Sequence, residues 1–424
     1  MNKLKFNKSN NTYVIKFPSN LPMKISFGGI ANQIQWNNKS LDLIEIACAV
    51  LFSDRLAKKP KGIYSVRQIS LKIPVREPKL WNSCRQHLNH LISFLSNDIY
   101  DLSFYCKKEG ISTLKDSIKI SAEKIVLYSG GLDSSVAAAN FAKAGVKAIY
   151  VTEYVTGITD IHNLLADICK TFGNGSKPLH ATFYVSPKAN MARLFKENTR
   201  RTRTFLYSSL ALALAGALGI WEISICENGP LALNLPFIPS MQPTRHTHID
   251  FLRGMEELSE IVFNKKIRFT NPYELKTKGE MTKVFNSYPK LALRTNSCWY
   301  RQFSGLGKHY GKGHCGHCIP CLVRLVSLKA AGIPIPKGHF DLDIVNLYKK
   351  TNKEKRYFGD LRAMQIFSNE IKHIKNWKEF ICRYPEVIET KSSLKNYSPE
   401  EWYNLILRLI KKFSKEIIKV FNGD

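Results

Sequence analysis

Ser129-Gly130-Gly131-Leu132-Asp133-Ser134-Ser135 is the stretch on which the reading of this chain turns. The apolar run Ile125-Val126-Leu127-Tyr128 before it reads as a buried strand. Val136 to Gly145 after it reads as an alanine-rich helix with a glycine stop. A strand, a glycine turn with small hydroxyls and a helix N-terminus make an anion cradle. Glycine lets the backbone approach a phosphate, and the free N–H groups and the helix dipole favour negative charge there. An aspartate in such a loop is electrostatically out of place unless it orients a magnesium ion or a water. The spacing matches neither G-x-x-x-x-G-K-[ST] nor G-x-G-x-x-G.

Outward from this loop, strand–helix alternation from Lys124 to about Ile267 predicts an α/β fold with a doubly wound parallel sheet. Its strands are expected at Ile125–Tyr128, Ala148–Tyr154, Ala181–Val185 and Glu222–Cys226. Residues 1–118 carry alternating strand text at Thr12–Phe17 and Ile69–Val75, and helix-like runs at Leu41–Leu56 and Trp81–Ser96. They read as a small α+β domain, with Tyr105–Ala122 as a linker into the next. Pro74 marks its second strand as an edge strand or the end of one. Residues 119–336 form the core domain, and 337–424 a basic helical region. In that region Trp377, Phe380, Trp402, Leu405, Leu409 and Phe413 recur at helical spacing, which favours core over a nucleic-acid stacking platform.

The 424 residues carry a net charge of +29, which suits a partner with phosphates, although the lysines are dispersed rather than gathered. Thr204–Trp221 is uncharged and long enough for a membrane span. Its Ala, Ser and Gly content, and the strand text that follows, favour a buried helix. The N-terminal text lacks the apolar run of a signal peptide, so a cytoplasmic location with reduced cysteines is expected. In that setting clustered cysteines point to metal. Cys298, Cys315, Cys318 and Cys321 include two C-x-x-C units sharing Cys318. Four thiolates close a tetrahedral zinc site of structural type, with an iron–sulfur cluster as runner-up. Gly305, Gly307, Gly311, Gly313 and Gly316 allow tight turns around it, and His314 or His317 could replace a thiolate.

The SGGLDSS text resembles the S-G-G-x-D-S signature of the PP-loop ATP pyrophosphatases, which cleave ATP between the α and β phosphates and adenylate a carbonyl or carboxylate oxygen. Joined to the cysteine cluster, Leu322-Val323-Arg324 and Ala330-Ala331-Gly332, it is similar to the 7-cyano-7-deazaguanine synthase (QueC) family. Arg203–Leu206, Asn271–Glu280 and Thr295–Trp299 also resemble family segments, so the likeness covers roughly residues 120–335. The resemblance implies activation of 7-carboxy-7-deazaguanine as an acyl adenylate, with ATP, Mg2+ and Zn2+. Ser129, Gly130, Gly131, Ser134 and Ser135 are the candidates for pyrophosphate binding. Asp133 is assigned to magnesium or water, and Arg203 and Lys278 to neutralising phosphate charge. Ser129, Asp133 and Lys278 are the catalytic candidates.

The family's acidic substrate loop, with its Pro-Asp-Cys-Arg, is not reproduced. Glu227 and Asn228, just past a strand end, could instead read a guanine-like edge, and Arg245 stands near the family arginine. His246 and His248 read as solvent-exposed rather than as a second metal site. The added flanks resemble QueC-like proteins of the Qat anti-phage defence systems and of some cyclic-oligonucleotide defence operons. That likeness implies attack on the adenylate by an amine of a partner protein from the same operon. A conventional ammonia-using synthase, a PP-loop tRNA-modifying enzyme and a non-catalytic scaffold are the alternatives. Nucleic acid is the less favoured partner, and no membrane is expected.

Overall fold

The computed structural model describes residues 4–9, 11–60, 65–107, 120–154, 157–189, 191–197, 199, 201–235, 245, 247–298, 314–350 and 358–421. The N-terminal elements are β1 (Lys5–Ser9), β2 (Thr12–Lys16), β3 (Met23–Gly29), α1 (Asn38–Leu56), β4 (Gln68–Val75), α2 (Pro78–Ser83), α3 (Arg85–Ser96) and β5 (Ile99–Cys106). Then come β6 (Lys124–Leu127), α4 (Leu132–Lys143), β7 (Ala148–Tyr154), α5 (Ile158–Phe172), β8 (Leu179–Pro187), α6 (Arg203–Leu218) and β9 (Glu222–Ser224). They are followed by α7 (Gly229–Ala232), α8 (Ile249–Phe263), β10 (Arg268–Thr270), α9 (Lys278–Thr282) and α10 (Pro289–Arg294).

The larger sheet runs β10-β9-β6-β7-β8-β3. All its pairs are parallel except β3 with β8. The chain proceeds outward from β6 through β7 to β8, then returns to place β9 on the other side of β6. The strand order therefore reverses between β6 and β9, and the crevice at such a reversal is where doubly wound sheets bind ligands. Both faces are covered. Ile125, Ile149 and Val151 pack with α1, α6 and α8, while Val126, Tyr128 and Tyr150 pack with α4 and α5. Burial on both sides explains why these strands read as apolar runs rather than alternations. Helix α6 carries no charge after Arg203 and is buried from Phe205 to Ala215 except at Tyr207, as a helix between sheet and α1 must be. No helix among the described residues is long and apolar enough to cross a membrane.

The smaller sheet, β1-β2-β4-β5, alternates buried and open positions along β2 and β5. Segment 1–118, read above as a domain of its own, lends one strand to the large sheet. Its β3 pairs with β8 along seven residues, and Ser40 Oγ on α1 donates to the Ala213 carbonyl of α6 at 2.8 Å. The expected linker from Tyr105 also begins as part of β5; residues 108–119 lie outside the described residues. Pro74 sits at the end of β4, the second of the two places expected for it, although β4 is an inner strand. It is tolerated because β2 pairs with β4 only as far as Lys72, so the missing N–H falls beyond that ladder.

After α10 the helices Ile319–Ala330, Gly359–His373, Trp377–Arg383 and Pro399–Phe421 share one apolar cluster. Phe380, Trp402, Leu409 and Phe413 are buried in it. Trp377 and Leu405 are half-buried, so the aromatic spacing marks core.

Candidate functional site

Strand β6 delivers the glycine loop to the sheet's reversal point. Tyr128 is pinned on both sides: its N–H donates to Val151 O at 2.8 Å, and its carbonyl accepts from Thr152 Oγ1 at 2.6 Å. Gly130 turns the chain at φ 71, and a Cβ there would meet Ile161 Cγ1 at 3.1 Å. Gly131 caps α4 without any side-chain cap. Its own N–H donates to Ser129 Oγ at 3.3 Å, and Ser129 Oγ lies 3.3 Å from Ser134 Oγ. Among the described residues, no acceptor takes the N–H groups of Leu132, Asp133 and Ser134, which open the helix. Such a terminus offers donors and a positive dipole end to an anion. Gly130→Ala is expected to lower the melting temperature more than Gly131→Ala. The left-handed backbone costs a side chain about 1–2 kcal/mol, whereas Gly131 has φ −75. Thermal unfolding of the two variants checks this.

Asp133, in the first turn of α4, is the meeting point of three segments. Lys278 Nζ on α9 lies 2.5 Å from Asp133 Oδ2, and Asn228 Nδ2 beyond β9 donates to Asp133 Oδ1 at 3.4 Å. The same Asn228 amide donates to Glu227 Oε1 at 2.6 Å, so two carboxylates share one donor. Burial pushes the Asp133 carboxyl up to about 6; Lys278 pulls it down and Glu227 pushes it further up. Two adjacent carboxylates beside an anion cradle fit a magnesium ion carried in with phosphates, since Mg2+ takes one or two carboxylates plus phosphate oxygens.

Local structure holds each partner. Asn228 caps α7 by accepting from Leu231 N at 3.3 Å. Asn271 bridges β9 and β10 ends: its amide donates to Glu227 O at 2.9 Å and its oxygen accepts from Glu227 N at 3.3 Å. Lys278 opens α9 behind a capping box of Thr277 and Glu280. Asn140 Nδ2 on α4 donates to Tyr273 Oη at 2.9 Å, fastening that helix to the same segment.

Two expected site residues contact other partners among the described residues. Arg203 lies at the start of α6 with its guanidinium on the buried Glu153 carboxylate at 2.8 Å. Arg245 donates to Phe94 O at 2.7 Å and to Asn97 Oδ1 at 3.0 Å, closing the C-terminal end of α3. Its guanidinium carbon is 4.7 Å from the Phe94 ring, so it serves packing rather than the Asp133 cluster. His248 is mostly buried, contrary to the expectation of exposure: its ring lies 5.0 Å from that of Phe94, tilted against it, and it caps α8 by accepting from Asp250 N at 3.3 Å. His246 and loop 236–244 lie outside the described residues.

The four cysteines converge as their spacing suggests. The Sγ atoms of Cys298, Cys315, Cys318 and Cys321 all lie within 4.8 Å of one another, and all four residues are buried. Zn–S bonds of about 2.3 Å in a tetrahedron put sulfurs about 3.8 Å apart; Cys315 and Cys321 Sγ are 3.7 Å apart. The N–H groups of Cys315 and Cys318 point at Cys298 Sγ (3.5 Å) and Cys315 Sγ (3.4 Å), which stabilises thiolates. Cys318 also occupies the N-cap position of the helix Ile319–Ala330. The cluster is therefore compatible with zinc. Gly316 makes the turn at φ 85, where a Cβ would collide with Leu342 O; Gly305, Gly307, Gly311 and Gly313 lie outside the described residues. Buried Arg324 ties this helix to the Cys298 segment, donating to Thr295 Oγ1 at 2.6 Å and Ala292 O at 2.8 Å. Asn296 N donates to Gly130 O at 3.1 Å, so the cysteine module abuts the glycine loop.

Sequence reading did not single out Asn271 or Thr152. Each works through a backbone contact between distant strands, which leaves no local pattern. No protein-family profile matches this chain, and no curated protein is significantly similar to it.

Proposed function

We propose that the protein is an ATP pyrophosphatase of the PP-loop kind that activates the carboxylate of a 7-deazaguanine and passes the acyl group to an amine, on a partner protein in an anti-phage defence system. The observation that carries this reading is the convergence of Asp133, Lys278, Asn228 and Glu227 on an uncapped helix N-terminus at the sheet's reversal point. The choice of a deazaguanine rests on the resemblance of the glycine and cysteine motifs.

In this reading the glycine loop and the first-turn N–H groups of α4 bind the β and γ phosphates. Lys278 neutralises charge that develops on the departing pyrophosphate. Asp133 and Glu227 are the residues that would hold a magnesium ion, which would supply further charge neutralisation. The substrate carboxylate oxygen attacks the α-phosphorus, the bond from that phosphorus to the bridging oxygen breaks, and pyrophosphate leaves. The amine nitrogen then attacks the acyl carbon, AMP leaves with the carbon–oxygen bond pair, and the nitrogen loses a proton to water. Because protonated Asp133 cannot hold a cation, activity should fall as pH drops through about 6.

Hydroxylamine trapping tests the acyl intermediate without knowledge of the amine. With ATP, magnesium and 7-carboxy-7-deazaguanine, the expected product is the deazaguanine hydroxamate, detected by mass spectrometry. Hydroxamate formation without ATP, or none with wild-type protein that binds both substrates, would overturn the proposal.

A further inference from the structure

The C-terminal helix Pro399–Phe421 reaches the Asp133 cluster from outside the segment that resembles known enzymes. Glu416 on this helix accepts a hydrogen bond from Thr277 Oγ1 at 2.6 Å. The same hydroxyl accepts from Glu280 N at 3.1 Å and so caps α9. Lys278, the next residue, carries its ammonium to Asp133 at 2.5 Å. Lys412, one turn before Glu416, pairs with Glu280. Helix α9 has no slack against this surface: a Cβ on Gly279 would lie 2.8 Å from Glu416 Oε1 and 2.8 Å from Ala330 Cβ.

The other wall of the cluster is held from the same region. Asn271 N donates to Ser393 Oγ at 2.8 Å, and Ser393 Oγ donates to Glu274 Oε2 at 2.8 Å. Asn271 in turn fixes Glu227, the neighbour of Asn228. The C-terminal region thus grips both segments that converge on Asp133.

We propose that Glu416 is a positioning residue: by holding Thr277 it sets the aim of Lys278 at the phosphate-binding loop, so the C-terminal helix is part of the catalytic apparatus rather than a docking appendage. This rests on the ATP-activating reading above. Its electrostatics agree with a working role. Burial pushes the Glu416 carboxyl up to about 7; Glu280 adds to this, and Lys412 and Lys283 oppose it. Its Oε2 is buried with no hydrogen-bond partner among the described residues. A carboxyl kept only for stability gains little from such a place.

The test compares Glu416→Ala with Glu416→Gln in the full chain. Glutamine keeps an acceptor for Thr277 but cannot titrate. In Glu416→Ala, kcat for pyrophosphate release should fall by up to about 10²-fold, the loss typical of a displaced catalytic group, with KM for ATP little changed. Amides 277–281 should exchange hydrogen faster. Glu416→Gln should restore both, and should flatten any change in rate across pH 7. Wild-type kcat and wild-type exchange in the alanine variant would overturn the proposal, as would a glutamine variant as impaired as alanine. If wild type itself releases no pyrophosphate, the enzymatic reading fails, yet unchanged exchange at 277–281 still refutes the clasp by itself and faster exchange supports it. If Glu416→Ala does not fold, loss of the pH response in Glu416→Gln supports the proposal and its retention overturns it.

Discussion

Asp133→Asn is expected to lower ATP-dependent pyrophosphate release by about 10²–10³-fold, the cost typical of deleting one preorganised electrostatic group. The substitution keeps the volume and removes the charge. It leaves Asn228 and Lys278 facing an amide, so no carboxylate remains opposite Lys278 at that position. The fold should survive. Burial raises the Asp133 carboxyl to about 6, so the charge that the amide removes is one that burial already penalises. A melting temperature close to wild type together with lost turnover is therefore the expected pair of results. Equal turnover in the variant would remove Asp133 from the chemistry. Collapse of the fold would assign the Asp133–Lys278 pair to structure instead.

The second large effect concerns the cysteines. Cys298→Ser should release the metal and lower the melting temperature sharply, because structural zinc contributes on the order of 10 kcal/mol of binding free energy in small domains. Strong chelation should do the same to the wild type. Exposed Cys382 and Cys106 lie outside the cluster, and serine there should change neither metal content nor stability. Elemental analysis should give one zinc per chain without the visible absorbance of an iron–sulfur cluster. Iron with acid-labile sulfide would overturn the zinc assignment. Loss of metal should also loosen the glycine loop, since Asn296, two residues before Cys298, bonds the Gly130 carbonyl.

The parts of the fold legible in the sequence are those whose signal is local. Apolar runs gave β6, β7 and β8 within a few residues, and C-x-x-C spacing gave the cysteine cluster. The glycine loop was legible because Gly130 needs its positive φ where it stands. What could not be read was tertiary. Nothing in Met23–Gly29 says that it pairs antiparallel with β8 and closes the edge of a distant sheet. Strand β5 alternates plainly over Tyr100–Phe104, and only its last two residues, Tyr105 and Cys106, fall in the expected linker, because no turn residue marks where the strand ends. Arg245 looked like a substrate ligand from its place in the motif order, but its guanidinium closes α3. Glu416 sits in an amphipathic helix where one more acidic residue carries no mark; only the approach of Thr277 gives it meaning.

The most direct test of the central claim is the identity of the nucleotide product. Purified protein is incubated with ATP, magnesium and 7-carboxy-7-deazaguanine, with hydroxylamine as acceptor, and the products are separated. The account predicts AMP and pyrophosphate in equal amounts, dependent on the carboxylate and lost in Asp133→Asn. ADP and phosphate, or AMP release indifferent to both the carboxylate and Asp133, would contradict it.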